Sequence, residues 1–216
     1  MEELHLILKD FYRFCLLLSA VVGVFYFLKL KNSYWKWLSI YLIVIFLQEN
    51  FWRFNFFFLS RELRITYYSL IGVPLQYIFL YWLYACKSLK KTKYFIVSIL
   101  IYFSTLIVVL FYKNIDETYS ISINIGTFLL IILLILEFVK QIKSDRILKF
   151  KENKMFYINI GLILFYIGNY PLHILGPELY NNYLNLWNYY YVYFMITNCL
   201  MYLLFSASFI WGKTQS

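Results

Sequence analysis

The sequence predicts an all-α polytopic membrane protein of seven transmembrane helices, with its N-terminus outside and its C-terminus inside. Three observations carry that expectation. The chain has 216 residues, is 62% hydrophobic and has a mean hydropathy of +0.66, outside the range of an ordinary soluble domain. Seven apolar runs of roughly 20 residues, the length a helix needs to cross a bilayer, lie between Phe11 and Trp211. Lys and Arg fall on alternate connections between these runs, and basic flanks are retained on the cytoplasmic side.

The spans follow in order, at 11–30, 35–59, 66–86, 94–112, 119–139, 155–176 and 184–211. The first has Asp10 and Arg13 near its outer end and Lys29 and Lys31 at its inner end. The second starts beside Lys36 and carries Gln48, Glu49, Asn50, Arg53 and Asn55 toward the outside. Arg61 and Arg64 lead into the third, which holds Pro74 and Gln76 and ends at Lys87, Lys90, Lys91 and Lys93. The fourth ends at Lys113. The fifth follows Asp116 and Glu117, holds Asn124, and ends near Glu137, which is expected to snorkel to the inner surface. The connection over 140–154 is the longest and carries Lys140, Lys143, Arg146, Lys149, Lys151 and Lys154. The sixth span contains Asn159, Asn169, Pro171 and His173, and the seventh Asn188, Thr197 and Asn198. The whole chain, 1–216, reads as a single membrane domain.

The formal charge of +9 follows from this topology. It lies mainly on inner loops beside anionic lipid headgroups, and no basic domain exists to hold nucleic acid. Glu2, Glu3, Asp10, Glu62, Asp116, Glu117 and Glu178 map to the outer side. Glu2 and Glu3 stand where a cleavable signal would have basic residues. Cys15, Cys86 and Cys199 sit in or at the ends of spans, and an odd number in apolar surroundings reads as packed thiols rather than a disulfide framework or metal site. The richness in Ile, Phe, Tyr, Lys and Asn hints at a bacterial source, and the inner (plasma) membrane is the expected location.

Aromatic residues make up 24% of the chain. Trp35, Trp37 and Trp211 are expected at the inner interface, and Tyr67, Tyr68, Trp187 and Tyr189 at the outer. The run over 187–193 is denser than a belt requires and reads as packing or as a cavity lining.

Ionisable groups inside spans are costly, about 2.5–3.5 kcal/mol each on insertion scales, and default to functional hypotheses. Glu49 and Arg53 are spaced i, i+4 and can pair. With Gln48, Asn50, Asn55, Gln76, Asn169, His173 and Asn188, they suggest a polar cavity opening outward. The plainer reading is that these groups hold helices together by hydrogen bonds. A short echo links Ile71-Gly72-Val73-Pro74-Leu75-Gln76 with Ile167-Gly168-Asn169-Tyr170-Pro171-Leu172-His173. It falls in helices of opposite direction, as an inverted repeat requires, but one extra residue between Gly and Pro shifts the register.

Several chemistries are excluded. The seventh span has no Lys for a retinal Schiff base. His5 and His173 are the only histidines, too few for a His-rich zinc hydrolase. No Gly-flanked serine with a His or Lys partner, phosphate-binding Gly-rich loop or C-x-x-C pair occurs. Pro74-Leu75-Gln76 differs from the Pro-Gln motif of small seven-span sugar carriers by span and by an insertion. The expectation is therefore no enzyme, no cofactor and no metal.

The stretch from Met155 through Phe156, Tyr157, Gly161, Tyr166, Gly168 and Asn169, together with Leu186-Trp187 and Thr197-Asn198-Cys199-Leu200, resembles a family of uncharacterised bacterial seven-span proteins. That family is common in Bacteroidetes and often encoded beside histidine kinases. Glu49 matches an acidic residue usual in its second span; Gln76 departs from an acidic residue in its third. The resemblance covers about half of the chain and implies a sensory or signalling-partner role by analogy.

Two classes follow. The first is a membrane sensor or signalling partner. Its outer cavity receives a small molecule or lipid, and Lys140, Lys143, Arg146, Lys149 and Lys151 dock a cytoplasmic or membrane signalling protein. The alternative is an ion pore, small-molecule carrier or membrane-permeabilising effector, open to homo-oligomer formation, with Glu49 and Arg53 lining the pathway.

Overall fold

A chain surrounded by lipid must satisfy its backbone internally, and helices do so within one segment. The computed structural model describes residues 2–54, 60–112, 114–144 and 150–213, and among these it is all-helical without a named strand. In chain order, α1 spans Glu2–Lys29 and α2 spans Lys36–Phe54. Helix α3 covers Arg61–Ser88, α4 Thr92–Tyr112 and α5 Ile115–Lys143. Helix α6 runs through Lys154–Leu162, Ile163–Ile167 and Gly168–Asn182. Helix α7 is Leu184–Trp211.

Polar residues set the helix starts. Ser60 Oγ accepts from the Leu63 amide at 3.2 Å, Asn114 Oδ1 from the Glu117 amide at 2.8 Å, and Asn153 Oδ1 from the Met155 amide at 3.1 Å. Each fills a backbone donor that the first turn leaves open. Asp116 and Glu117 begin α5, and Lys140 and Lys143 end it, both matching the helix dipole.

Six of the described helices, all except α2, are long and apolar enough to cross a membrane. Helix α2 has 19 residues, sufficient in length, but Gln48, Glu49, Asn50 and Arg53 crowd its C-terminal half and dilute its apolar character. Large apolar side chains such as Phe25, Leu28, Leu100 and Phe111 are exposed on the protein surface, as expected where lipid replaces water.

The helices fall into two compact units. The terminal unit comprises Met1–Phe46 and Phe138–Ser216; the middle unit is Leu47–Glu137. In the terminal unit, α6 and α7 run antiparallel. Lys154 Nζ reaches the Ser208 carbonyl at 3.1 Å, Gly161 faces the Met201 backbone, and Asn169 binds Thr197. Helices α1 and α7 run parallel. His5 lies 4.7 Å from the Tyr191 ring centroid, Cys15 hydrogen-bonds Cys199, and Tyr26 lies 5.8 Å from Phe209. Gly23 brings α1 against the Ser39 backbone of α2, the close approach that small residues permit in membrane bundles.

The middle unit is built on tyrosines. Tyr77, Tyr81 and Tyr84 form an i, i+4, i+7 stripe on α3 and are at most 3% exposed. Tyr77 Oη meets Thr127 Oγ1 at 2.7 Å and the Ile123 carbonyl at 3.1 Å. Tyr81 donates to the Gly126 carbonyl at 2.8 Å. Tyr102 on α4 meets Ser122 Oγ at 2.6 Å. These bonds join α3 and α4 to α5.

Among the described residues, three π-helical segments interrupt the helices: Tyr68–Gly72 and Trp82–Ser88 in α3, and Ile163–Ile167 in α6. The echo in the sequence coincides with two of them. One segment ends at Gly72 and the other immediately before Gly168, and a proline follows each glycine within three residues. Such segments occur frequently at functional sites.

Candidate functional site

The middle unit gathers the polar end of α2 against the start of α3. Gln48 and Trp52 lie on the buried stripe of α2, at 7% and 6% exposure, and Glu49 sits half-buried beside it. Tyr68 donates to Glu49 Oε1 at 2.8 Å, and Tyr67 makes a long hydrogen bond of 3.5 Å to Gln48 Oε1. Arg64 and Tyr119 lie close enough to Glu49 to act on it electrostatically. The Trp52, Tyr67 and Tyr68 rings pack together, with Trp52 at 5.2 Å from Tyr67 and 6.2 Å from Tyr68.

Glu49 therefore takes its partner from α3 and not from Arg53. Arg53 is exposed and makes no ion pair among the described residues. Helix geometry supplies the reason: four residues advance the face by about 40°. Arg53 is thus turned farther from the Gln48–Trp52 stripe than Glu49 is.

Three buried polar atoms on these facing surfaces have no hydrogen-bond partner: Gln48 Nε2, Trp52 Nε1 and Ser69 Oγ. Ser69 is fully buried, and Gly72, one turn on, packs against Gln48 Nε2. Unpartnered buried polar atoms are rare and ask for a reason. Here all three can donate, and the nearby Arg64 also offers only donors. The arrangement suits a ligand rich in acceptor oxygens.

The other expected site residues divide between the units. Asn50 and Gln76 are half-buried in the middle unit. Asn169 and Asn188 lie in the terminal unit. Asn169 is fully buried; its Nδ2 donates to the Phe165 carbonyl at 2.6 Å and to Thr197 Oγ1 at 2.8 Å. That bond ties α6 to α7, the helix-joining role. Asn188 is half-buried on α7. Asn55 and the His173 side chain lie outside the described set.

The aromatic run on α7 is packing. Trp187 stacks on Tyr191 at 5.1 Å and 15°, with Tyr180 edge-on at 5.2 Å and His5 beside Tyr191. On the fifth connection, Lys143 and Lys151 are exposed and Lys140 half-buried; Arg146 and Lys149 lie outside the described residues. The exit of that connection is anchored, because Glu152 pairs with Lys213 at 2.5 Å and its carbonyl accepts the Lys213 amide at 2.8 Å.

One residue departs from expectation. Glu137 does not snorkel; it is 2% exposed and acts on the fully buried Tyr84. It continues the buried stripe of Leu130, Leu133 and Leu134 on α5, so its face of the helix points inward. The i, i+4, i+7 tyrosines of α3 were the available signal that a polar partner existed at that depth.

Among the described residues, no three side chains of His, Cys, Asp or Glu come together as a metal site requires. A crevice lined by Tyr102, Thr105, Leu106 and Val109 of α4 and Thr118 and Ile125 of α5 has no room for a water molecule. No family model, curated protein or solved structure matches the chain.

Proposed function

We propose that this chain is a seven-span receptor or signalling-partner protein of the plasma (inner) membrane, N-terminus out and C-terminus in. Its ligand is a small molecule or lipid headgroup bearing acceptor oxygens, engaged between α2 and α3. The three unpartnered donors beside Arg64 and Glu49 carry this reading. The exposed cations Lys143 and Lys151 at the ends of the fifth connection suit docking of a cytoplasmic protein. It is read as a binding protein rather than an enzyme.

Parity supports counting α2 as a span. Helices that alternate across a membrane place the first and last parallel only when their number is odd. Six crossings would set α1 and α7 antiparallel, whereas they pack parallel. The basic first, third and fifth connections orient the N-terminus outward.

Native mass spectrometry of the full chain, gently extracted from its host membrane, tests the reading. The expected result is a retained oxygen-rich small molecule or lipid, or a one-to-one protein complex. Retention of the ligand should fall in Gln48→Leu and in Arg64→Gln. A homo-oligomer carrying bulk lipid alone, unchanged by both substitutions, overturns it. The alternative, a conduit, draws support from a different observation: beside the half-buried Glu49, the middle unit holds a buried carboxylate, Glu137.

A further inference from the structure

A carboxylate stands among the donors that face one another across α2 and α3. Glu49 follows Gln48 in the chain and is spaced i, i+3 from Trp52, which puts the Glu49 and Trp52 Cβ atoms about 5–6 Å apart. A site made only for an oxyanion would not keep a negative charge at that range, because like charges repel. Burial sorts the groups into a floor and a rim. Gln48, Trp52 and Ser69 form the buried floor, and among the described residues their Nε2, Nε1 and Oγ atoms have no partner. Glu49, Arg64, Tyr67 and Tyr68 form a half-buried rim. Arg64 lies one turn before Tyr68, whose amide bonds the Arg64 carbonyl, so the two share a face of α3. The rim is aromatic as well as charged: Tyr67 and Tyr68 meet edge to face at 5.7 Å, and Trp52 lies 5.2 Å from Tyr67. Aromatic faces attract a cation within about 6 Å.

We propose that the ligand of this site is a zwitterion, one small molecule or headgroup carrying both an ammonium and a phosphate or carboxylate. This rests on the receptor reading above and narrows it. The oxyanion takes the floor donors and Arg64, and the ammonium takes Glu49 and the neighbouring tyrosine faces.

Charge balance favours this over simpler ligands. The site holds one carboxylate and one guanidinium, and a zwitterion gives each its counterpart, so no charge is left buried alone. A plain anion leaves Glu49 facing a like charge, and a plain amine leaves the floor donors empty. The bonds already made allow entry. A carboxylate accepts from several donors at once, so the 2.8 Å bond from Tyr68 to Glu49 Oε1 can persist beside an ammonium. The Tyr67–Gln48 bond is 3.5 Å long, at the limit for a hydrogen bond. It is the contact that yields, freeing the Gln48 amide to turn toward the rim.

The test has two arms, because a free solute and a lipid headgroup can carry the same chemistry. In the first, calorimetry on the purified full chain in phosphatidylglycerol nanodiscs compares phosphoethanolamine and alanine with glycerol phosphate, which lacks the ammonium, and ethanolamine, which lacks the oxyanion. In the second, native mass spectrometry reads which lipid is retained from an equal mixture of phosphatidylethanolamine and phosphatidylglycerol. The expected result is a zwitterion bound at least about tenfold more tightly than either fragment for a solute, or phosphatidylethanolamine retained over phosphatidylglycerol for a lipid. Glu49→Gln should erase that preference, and Arg64→Gln should weaken every probe that carries an oxyanion. Melting of each variant separates lost binding from lost fold. Glycerol phosphate binding as tightly as phosphoethanolamine with neither lipid preferred, or a preference that survives Glu49→Gln in folded protein, overturns the zwitterion. Binding of any oxygen-bearing probe that is lost in Gln48→Leu would then leave the receptor reading standing. No solute bound and no lipid retained overturns both.

Discussion

Glu49 shows how one side chain chooses between partners of equal chemical appeal. The i, i+4 spacing offered Arg53, and packing supplied Tyr68 instead. Two predictions follow from that choice. Tyr68→Phe should destabilise the chain by about 1–2 kcal/mol, the worth of a hydrogen bond to a charged group in a half-buried place. Arg53→Leu should change stability by no more than about 0.5 kcal/mol, as for exposed substitutions generally. Thermal melts in one detergent check both. Equal losses in the two variants would restore the Glu49–Arg53 pair.

Glycines differ at the same scale. A Cβ at Gly126 would overlap the ring of Tyr77, which is 3% exposed and held by Thr127. A Cβ at Gly168 would overlap the hydroxyl end of Tyr193, which is 39% exposed and free to swing away. Gly126→Ala should therefore cost about 1–3 kcal/mol through overpacking, and Gly168→Ala clearly less. The same melts rank them.

At the scale of whole elements, the start of α6 locks the end of α7. Lys154, 4% exposed, donates to the Ser208 carbonyl and lies 5.5 Å from the centroid of the Phe209 ring. A cation at a helix C-terminus meets carbonyls left without amide partners and the negative end of the dipole. Lys154→Met, which keeps much of the apolar stem, should cost about 1.5–3 kcal/mol. Lys213→Ala, which removes only the exposed pair with Glu152, should cost less than about 1 kcal/mol. Hydrogen exchange should show the last turn of α7 opening in the first variant and not in the second. The π segments act at this scale too. By following Ile163–Ile167 with Gly168 and Tyr68–Gly72 with Pro74, α3 and α6 each carry an irregular turn beside a buried polar group, Ser69 in one and Asn169 in the other.

For the molecule as a whole, the parallel packing of α1 and α7 makes a prediction about topology. Cys15 and Cys199 hydrogen-bond to each other, so a short thiol-to-thiol cross-linker should join them in native membranes. After proteolytic nicking between α4 and α5, the halves should stay linked in the wild type and separate in Cys15→Ser. A reporter fused at the C-terminus should be active only in the cytoplasmic form. Activity of an external reporter there would reverse the orientation.

Composition and periodicity were enough to read the class of this protein. Runs of apolar residues in lipid admit only helices, so length and hydropathy mark the spans without knowledge of any neighbour. The alternating Lys and Arg likewise needed no contacts to suggest an orientation. Partners lay beyond that reach. Whether Glu49 meets Arg53 or Tyr68, and whether Glu137 reaches inner water or turns toward Tyr84, depends on which face each helix shows its neighbour. In a membrane the lipid-facing side is as apolar as the buried one, so the hydrophobic pattern that sorts inside from outside in a soluble protein carries little of that information. The tertiary structure decided those pairs, and with them the donors around Gln48.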